Sequence, residues 1–282
     1  MRERTAARWV LLALISAAAC GERAQDGEPV RFAQSAGSAS AADGGAASVI
    51  DPVRSAPMDT SEVDRAIATA PTDARRPTLL LLAGMRWDAR LRRADPADTA
   101  AREHAAREAL RAYDAMVSDH PTHDAIAEAL FRAAQIEVEA RQMDRARRRY
   151  LLLIQRFPAS PFVPFAYLAF GDYFQRQQDW SSAQQFYERV RAMAPRTELG
   201  AYTNYQLARA HWGQARCVEA LQCLQLVLAA PAVTQSVRDA ATRDQAAIGN
   251  CRGAMSPLGE SIAVEVPQPP FTSVEALEAS TQ

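Results

Sequence analysis

From about residue 62 to 251 the apolar positions recur at three- and four-residue spacing, and no stretch alternates apolar and polar residues for long enough to make a strand. The spacing predicts a succession of amphipathic helices. A longer period is superimposed on it. Ala109, Tyr113, Met116 and Pro121 are followed by Ala146, Tyr150, Leu153 and Pro158, and then by Ala183, Tyr187, Val190 and Pro195. Ala220, Leu224 and Val227 complete the series; successive sets lie 37 residues apart, and the last proline, Pro231, comes one place early. A second group precedes each set at the same period: Leu130, Ala133 and Ala134, then Tyr167, Phe170 and Gly171, then Asn204, Leu207 and Ala208. Small residues at Ala134, Gly171 and Ala208 let a neighbouring helix come close. Ala146, Ala183 and Ala220 do the same from the second helix of each pair, where the large residue four places later lies on the same face. Proline then ends that helix.

This pattern resembles the tetratricopeptide repeat, which has a small residue at its eighth place, Ala at its twentieth, an aromatic at its twenty-fourth and Pro at its thirty-second. Repeats beginning at Ala127, Pro164 and Ala201 put Ala134, Gly171 and Ala208 eighth and Ala146, Ala183 and Ala220 twentieth. The resemblance spans about 125 to 232, and a degenerate repeat precedes it, with Thr78 to Arg92 and Ala100 to Asp119 as its helices. The period is 37 residues here against about 34 in the family. The extra length fits the turn at Phe157-Pro158-Ala159-Ser160-Pro161. That turn resembles those of two periplasmic groups, the BamD-like outer-membrane assembly lipoproteins and the CpoB-like division and Tol-associated proteins, and the residues do not choose between them. The fold expected is all-α: a right-handed α-solenoid of antiparallel helix pairs. Ser61 to Thr69 helps to begin the stack, and a C-terminal helix, Thr234 to Cys251, caps it.

The flanks read differently. Arg2, Arg4 and Arg8, the apolar run Trp9 to Ile15 and the small residues Ser16 to Ala19 make a secretory signal, too short to span a bilayer stably. Small residues ahead of Cys20-Gly21 resemble the bacterial lipobox, in which the cysteine thiol is acylated. Ala17 stands where that family usually has Leu, so ordinary cleavage after Ala19 is the competing expectation. Gly21, in place of the Asp associated with inner-membrane retention, points to the outer membrane, facing the periplasm. The organisation expected is a signal peptide over 1–19, an Ala-, Gly- and Ser-rich disordered tether over 20–60, the solenoid over 61–252, and a disordered tail over 253–282 with a helical turn or two at Ser273-Val-Glu-Ala-Leu.

Composition narrows the function by exclusion. The 282 residues carry a net charge of −1, which argues against a nucleic-acid partner. All the basic residues are arginine, the mark of a GC-rich genome. The chain has no glycine-rich phosphate loop, no G-x-S-x-G and no H-E-x-x-H. His120-Pro-Thr-His123 lacks a third placed ligand for zinc and reads as a solvated turn. Acidic residues are spread over helical faces, so no acid/base pair can be nominated. No enzyme, cofactor or metal is expected. Cys217 opens the last repeat's second helix and Cys251 ends the capping helix, so an antiparallel arrangement brings them together. A Cys217–Cys251 disulfide is expected in an exported domain, with Cys223 a small core residue; three free buried thiols are the alternative.

The family resemblance implies where a partner sits. In these repeats the concave surface is lined by places two, five, nine, twelve and thirteen of each first helix. Carried onto this chain, the groove takes in Glu128, Phe131 and Gln135, then Phe165, Leu168, Asp172 and Arg176, then Tyr202, Tyr205, Arg209 and Trp212. Such an aromatic and arginine-rich groove suits a protein or peptide partner. The expected function is therefore a membrane-anchored adaptor in envelope or outer-membrane assembly. The alternative is a peptidoglycan- or polysaccharide-associated lipoprotein, since aromatic surfaces also stack on sugars. The tail segment Pro267-Gln-Pro-Pro-Phe271 is itself a candidate occupant of the groove.

Overall fold

The structure, a computed structural model, describes residues 60–69, 74–249 and 264–281. They form eleven α-helices and, among the described residues, no strand. The helices are α1 (Thr60–Thr69), α2 (Arg76–Arg93), α3 (Thr99–Asp119), α4 (Ile126–Glu139), α5 (Met143–Arg156), α6 (Val163–Arg176), α7 (Trp180–Met193), α8 (Glu198–Gly213), α9 (Cys217–Ala229), α10 (Gln235–Ile248) and α11 (Val274–Thr281). Each of α2 to α10 packs on its neighbour in the chain, so α2/α3, α4/α5, α6/α7 and α8/α9 are stacked antiparallel pairs and α10 closes the stack. This is the solenoid that the 37-residue period predicts.

The small-for-large exchange sets the spacing within each pair. A Cβ at Gly171 would come within 2.4 Å of the Tyr187 ring, and one at Gly84 within 2.3 Å of the Tyr113 ring. Both tyrosines are 0% exposed. In the register of the repeat, Ala134 faces Tyr150 and Ala208 faces Leu224. Gly84 shows that the degenerate first pair obeys the same rule with longer helices, α2 having 18 residues and α3 21.

The turns repeat as faithfully as the helices. Arg141, Gln178 and Ala215, 37 residues apart, are the non-glycine residues with positive φ among the described residues, at 58°, 60° and 59°. At each, the next residue's N–H reaches back to the carbonyl five residues earlier: Gln142 to Glu137 at 2.8 Å, Asp179 to Phe174 at 3.0 Å, Arg216 to His211 at 2.9 Å. The left-handed residue's own N–H closes the inner bond, to Val138, Gln175 and Trp212 respectively. This is the Schellman closure of a helix, normally left to glycine. Side-chain caps start α3, α7 and α8, where Asp98, Asp179 and Thr197 accept from the N–H groups of Ala101, Ser182 and Gly200.

Charge is buried inside the stack as well. Glu137 of α4 is 1% exposed and pairs with Arg149 Nε of α5 at 2.9 Å. Arg149 in turn holds Asp114 of α3 at 2.6 Å, tying three helices together. Desolvation raises the Glu137 carboxyl's pKa in spite of Arg149.

The largest departure from expectation is the C-terminal tail. Residues 264–281 are not a disordered appendage: they run back along the stack from α10 to α2. Glu265 N–H donates to Ser236 Oγ at the start of α10, Pro267 and Pro269 are buried, and α11 packs on α2 with Val274 and Leu277 against the cluster of Val63, Leu82 and Ala83. The apolar period at Ser273 to Leu277 predicts a turn or two of helix, and α11 is that helix. What composition cannot reveal is that prolines ahead of it have a surface to lie on.

Gly171→Ala tests the exchange. Helix propensity favours alanine by about 1 kcal/mol, whereas overpacking against a ring costs about 1–3 kcal/mol. Tyr187 cannot yield freely because its hydroxyl is bonded to Asp172. The variant should be less stable than the wild type by up to about 2 kcal/mol in urea denaturation, and the loss should shrink in a Tyr187→Leu background. Equal losses in both backgrounds would refute the pairing.

Candidate functional site: the first-helix face and the segment seated on it

The first helices α2, α4, α6 and α8, with α10, contribute one face of the stack, and the tail meets it at the start of α10, the first turns of α4 and the middle of α2. Glu128 lies in the first turn of α4 and Arg132 one turn later, so helical spacing places the two side chains together. Arg132 Nε donates to Glu128 Oε1 at 2.8 Å. The same guanidinium lies 3.9 Å from Asp88 of α2, which also pairs with Arg92 at 3.2 Å. Asp88 and Glu128 are only 3% and 4% exposed, so this acid–arginine network sits out of water. Deeper still, the Tyr113 hydroxyl has no hydrogen-bond partner among the described residues. Burial drives its pKa far up, so it stays protonated beside Arg132, Asp88 and Glu128.

The tail meets this network at Phe271 and Thr272. Thr272 N–H donates to Glu128 Oε1 at 3.1 Å, and its hydroxyl donates to Glu128 Oε2 at 2.6 Å. Arg132 Nη2 donates to the Thr272 carbonyl at 3.3 Å. One residue of the tail is thus read at its amide, its carbonyl and its side chain. The Phe271 ring packs 6.0 Å from Phe131 and 5.7 Å from Phe162, centroid to centroid, with the Arg132 guanidinium 4.0 Å over its face. Farther along, Arg86 and Glu278 form an ion pair between α2 and α11.

Beyond the tail, the face continues over α6, α8 and α10 as a second polar array. Tyr187 donates its hydroxyl to Asp172 Oδ1 at 2.8 Å, Gln206 donates to the Tyr202 hydroxyl at 2.6 Å, and Gln175 donates to Gln206 at 3.1 Å. Tyr205 donates to Asp244 of α10 at 3.0 Å, with Arg209 5.9 Å from the Tyr205 ring. Desolvation raises the pKa of Asp172, opposed by the Tyr187 hydrogen bond and by Arg176 and Arg209. It raises Asp244 likewise, opposed by Tyr205, Arg209 and Arg243.

The structure sorts the expected groove residues into three kinds. Phe131 is 3% exposed and lies under the tail. Leu168, Tyr202 and Tyr205 are buried at 4, 4 and 5% exposure, so they support the face from beneath rather than presenting a ring to a partner. Gln135, Phe165, Asp172, Arg209 and Trp212 are half-buried and Arg176 is exposed; these remain accessible on the face. Arg132, at the unassigned sixth place, Phe162 in the turn before α6, and Thr272 were not nominated from sequence. The signal for Arg132 was its four-residue offset from Glu128. Cys217 is disulfide-bonded and Cys223 is free and buried. The partner of Cys217, like Cys251 and Cys20, lies outside the described residues. His123 Nδ1 accepts from the Ala125 N–H at 3.2 Å within its turn, and no cluster of three or more metal-ligating side chains occurs among the described residues.

No family model matches the chain, and no curated protein matches it. Similar solved structures include that of MamA protein, at 14% identity and a TM-score of 0.45, covering 70% of this chain and 87% of that one. Another is BtubC (BKLC) from P. vanneervenii, at 17% identity and a TM-score of 0.44, covering 74% and 79%. With likenesses at this level, the fold assignment rests on the chain's own repeat geometry.

The raised pKa of Asp172 carries a prediction. A folded-state pKa above the ordinary 3.8 means the native state holds its proton more tightly than the unfolded chain. Stability is then lost as pH rises through the window between 3.8 and the raised value, at about 1.4 kcal/mol for every tenfold difference in proton affinity between the two states. Asp172→Asn keeps an oxygen for Tyr187 but cannot ionise. It should match the wild type in acid and exceed it at pH 7 in urea midpoints. A variant less stable at pH 7 would show that the negative charge stabilises the face through Arg176 and Arg209.

Proposed function

We propose that this protein is a lipid-anchored scaffold of the cell envelope, at the periplasmic side of the outer membrane, whose first-helix face holds a polypeptide partner. The observation that carries the reading is that this face already holds an extended polypeptide, residues 264–272, through contacts to its main chain as well as its side chains. Main-chain recognition beside side-chain pockets is how peptide-binding surfaces combine affinity with specificity. The accessible remainder of the face, with Gln135, Asp172, Arg176, Arg209 and Trp212, extends that surface along the stack. Its acidic and aromatic groups are occupied with one another, as at Tyr187–Asp172 and Tyr205–Asp244, which suits binding rather than acid/base catalysis. Stacking on sugar rings is less well served, because Tyr202 and Tyr205 are buried and Phe131 is covered.

Anchoring rests on Cys20 and the segment before it. Cys20→Ser should move the protein from the membrane fraction to the soluble periplasmic fraction; retention in the membrane would remove the lipid anchor. The partner is tested by photo-crosslinking in the native cell from Arg176, on the face, against exposed Arg148 on α5 as control. One dominant protein captured from Arg176 and not from Arg148 is expected. Equal capture from both, or none, would refute the scaffold reading.

A further inference from the structure

The tail is more than a closing strap. Pro267 and Pro269 are buried while Gln268 and Pro270 are exposed, so alternate residues face the stack as in an extended ligand lying along a surface. At Pro270 the chain makes a three-residue turn, with Phe271 N–H donating to the Pro269 carbonyl at 2.8 Å, and the ring drops between Phe131 and Phe162. Thr272 follows, its hydroxyl and amide both taken by Glu128. The receptor residues are also bonded to one another: Glu128 and Arg132 pair within α4, and Arg132 lies 3.9 Å from Asp88. Release of the segment would part α11 from α2 and break the Arg86–Glu278 pair, but the pairs α2/α3, α4/α5, α6/α7 and α8/α9 keep their own contacts.

We propose that the Glu128–Arg132 face is a binding site for extended proline-rich segments of the form Pro-x-Pro-Pro-Phe-Thr, and that residues 264–281 are a resident copy which a partner's segment of the same chemistry displaces. The proposal rests on the scaffold reading and gives it a ligand class. The specificity follows from the contacts. Phe271 supplies a ring for an apolar slot roofed by Arg132. Thr272 supplies two donors to a carboxylate taken out of water, its amide and its hydroxyl, and valine of the same shape keeps only the amide. Proline supplies a segment already extended, which loses little chain entropy on docking.

The test uses the full chain carrying Phe271→Ala and Thr272→Val, which releases the tail, and a fluorescein-labelled peptide with the sequence of residues 264–282, followed by anisotropy. Saturable binding to the released chain is expected. Binding to the wild type should be at least tenfold weaker, since a tethered tail competes at an effective concentration on the order of 1 mM. Peptides carrying Phe271→Ala or Thr272→Val should each lose at least tenfold, and so should Glu128→Gln in the released chain. No binding in trans at unchanged helix content, or equal binding of the altered peptides, overturns the proposal. Should the released chain unfold, hydrogen exchange in the wild type decides: exchange of the Thr272 amide by local opening supports a displaceable tail, and exchange only with global unfolding overturns it. The two readings fail separately. Crosslinking from Arg176 without peptide binding leaves the scaffold and removes the motif; peptide binding without crosslinking leaves the site and removes the scaffold.

Discussion

The two helices of each pair can approach closely only where one of them gives up a side chain opposite the large residue of the other. Gly84 against Tyr113 and Gly171 against Tyr187 are the tightest cases, with alanine serving at places 134 and 208. Everything else in the stack is built around that contact. A tyrosine inserted so deeply brings its hydroxyl out on the far side, at the first-helix face. Tyr187 there finds Asp172, and Tyr113 arrives beneath Glu128, Arg132 and Asp88. Packing thereby delivers polar groups to the surface where a ligand would sit, and the same ring that sets the helix spacing helps to set the chemistry of the face.

Burying charge beside these rings is costly unless each charge has a partner. The structure meets this by linking acids and arginines across successive helices: Asp114–Arg149–Glu137 joins α3, α5 and α4, and Asp88–Arg132–Glu128 joins α2 to α4. A buried ion pair gives little net stability, but it penalises misregister, because a slipped helix would strand a charge. A solenoid of near-identical pairs has many plausible registers, so such pairs suit it well. The left-handed turn residues Arg141, Gln178 and Ala215 act in the same direction, fixing the turn geometry at the same place in each repeat.

The period of the sequence made the helices legible almost to the residue: Thr78 to Arg92 and Ala100 to Asp119 were expected where Arg76–Arg93 and Thr99–Asp119 stand. Periodicity reports local facing, and local facing is what a solenoid repeats. The face was legible only in part. The places borrowed from the family named rings without distinguishing the accessible from the buried. Tyr202 and Tyr205 turn inward because Gln206 and Asp244 engage their hydroxyls, partners four and thirty-nine residues away that no repeat pattern specifies. The tail was harder still. Prolines and polar residues look unstructured by composition, and the surface that orders them lies more than a hundred residues earlier, at Glu128 to Phe162.

That distance bears on what the face is for. Glu128 is withdrawn from water, and Arg132 satisfies only part of its accepting capacity. Thr272 fills the rest with two donors, one from its main chain and one from its side chain. When the tail leaves, water or another ligand must supply those donors. A ligand with an amide alone would leave one oxygen under-bonded, and one with an apolar residue at that position would seal it from water. Either loss is comparable to a hydrogen bond to a charged group, about 1.5–3 kcal/mol, or roughly ten- to a hundredfold in affinity. The hydroxyl after the phenylalanine therefore distinguishes ligands that the apolar slot and the proline track would accept equally.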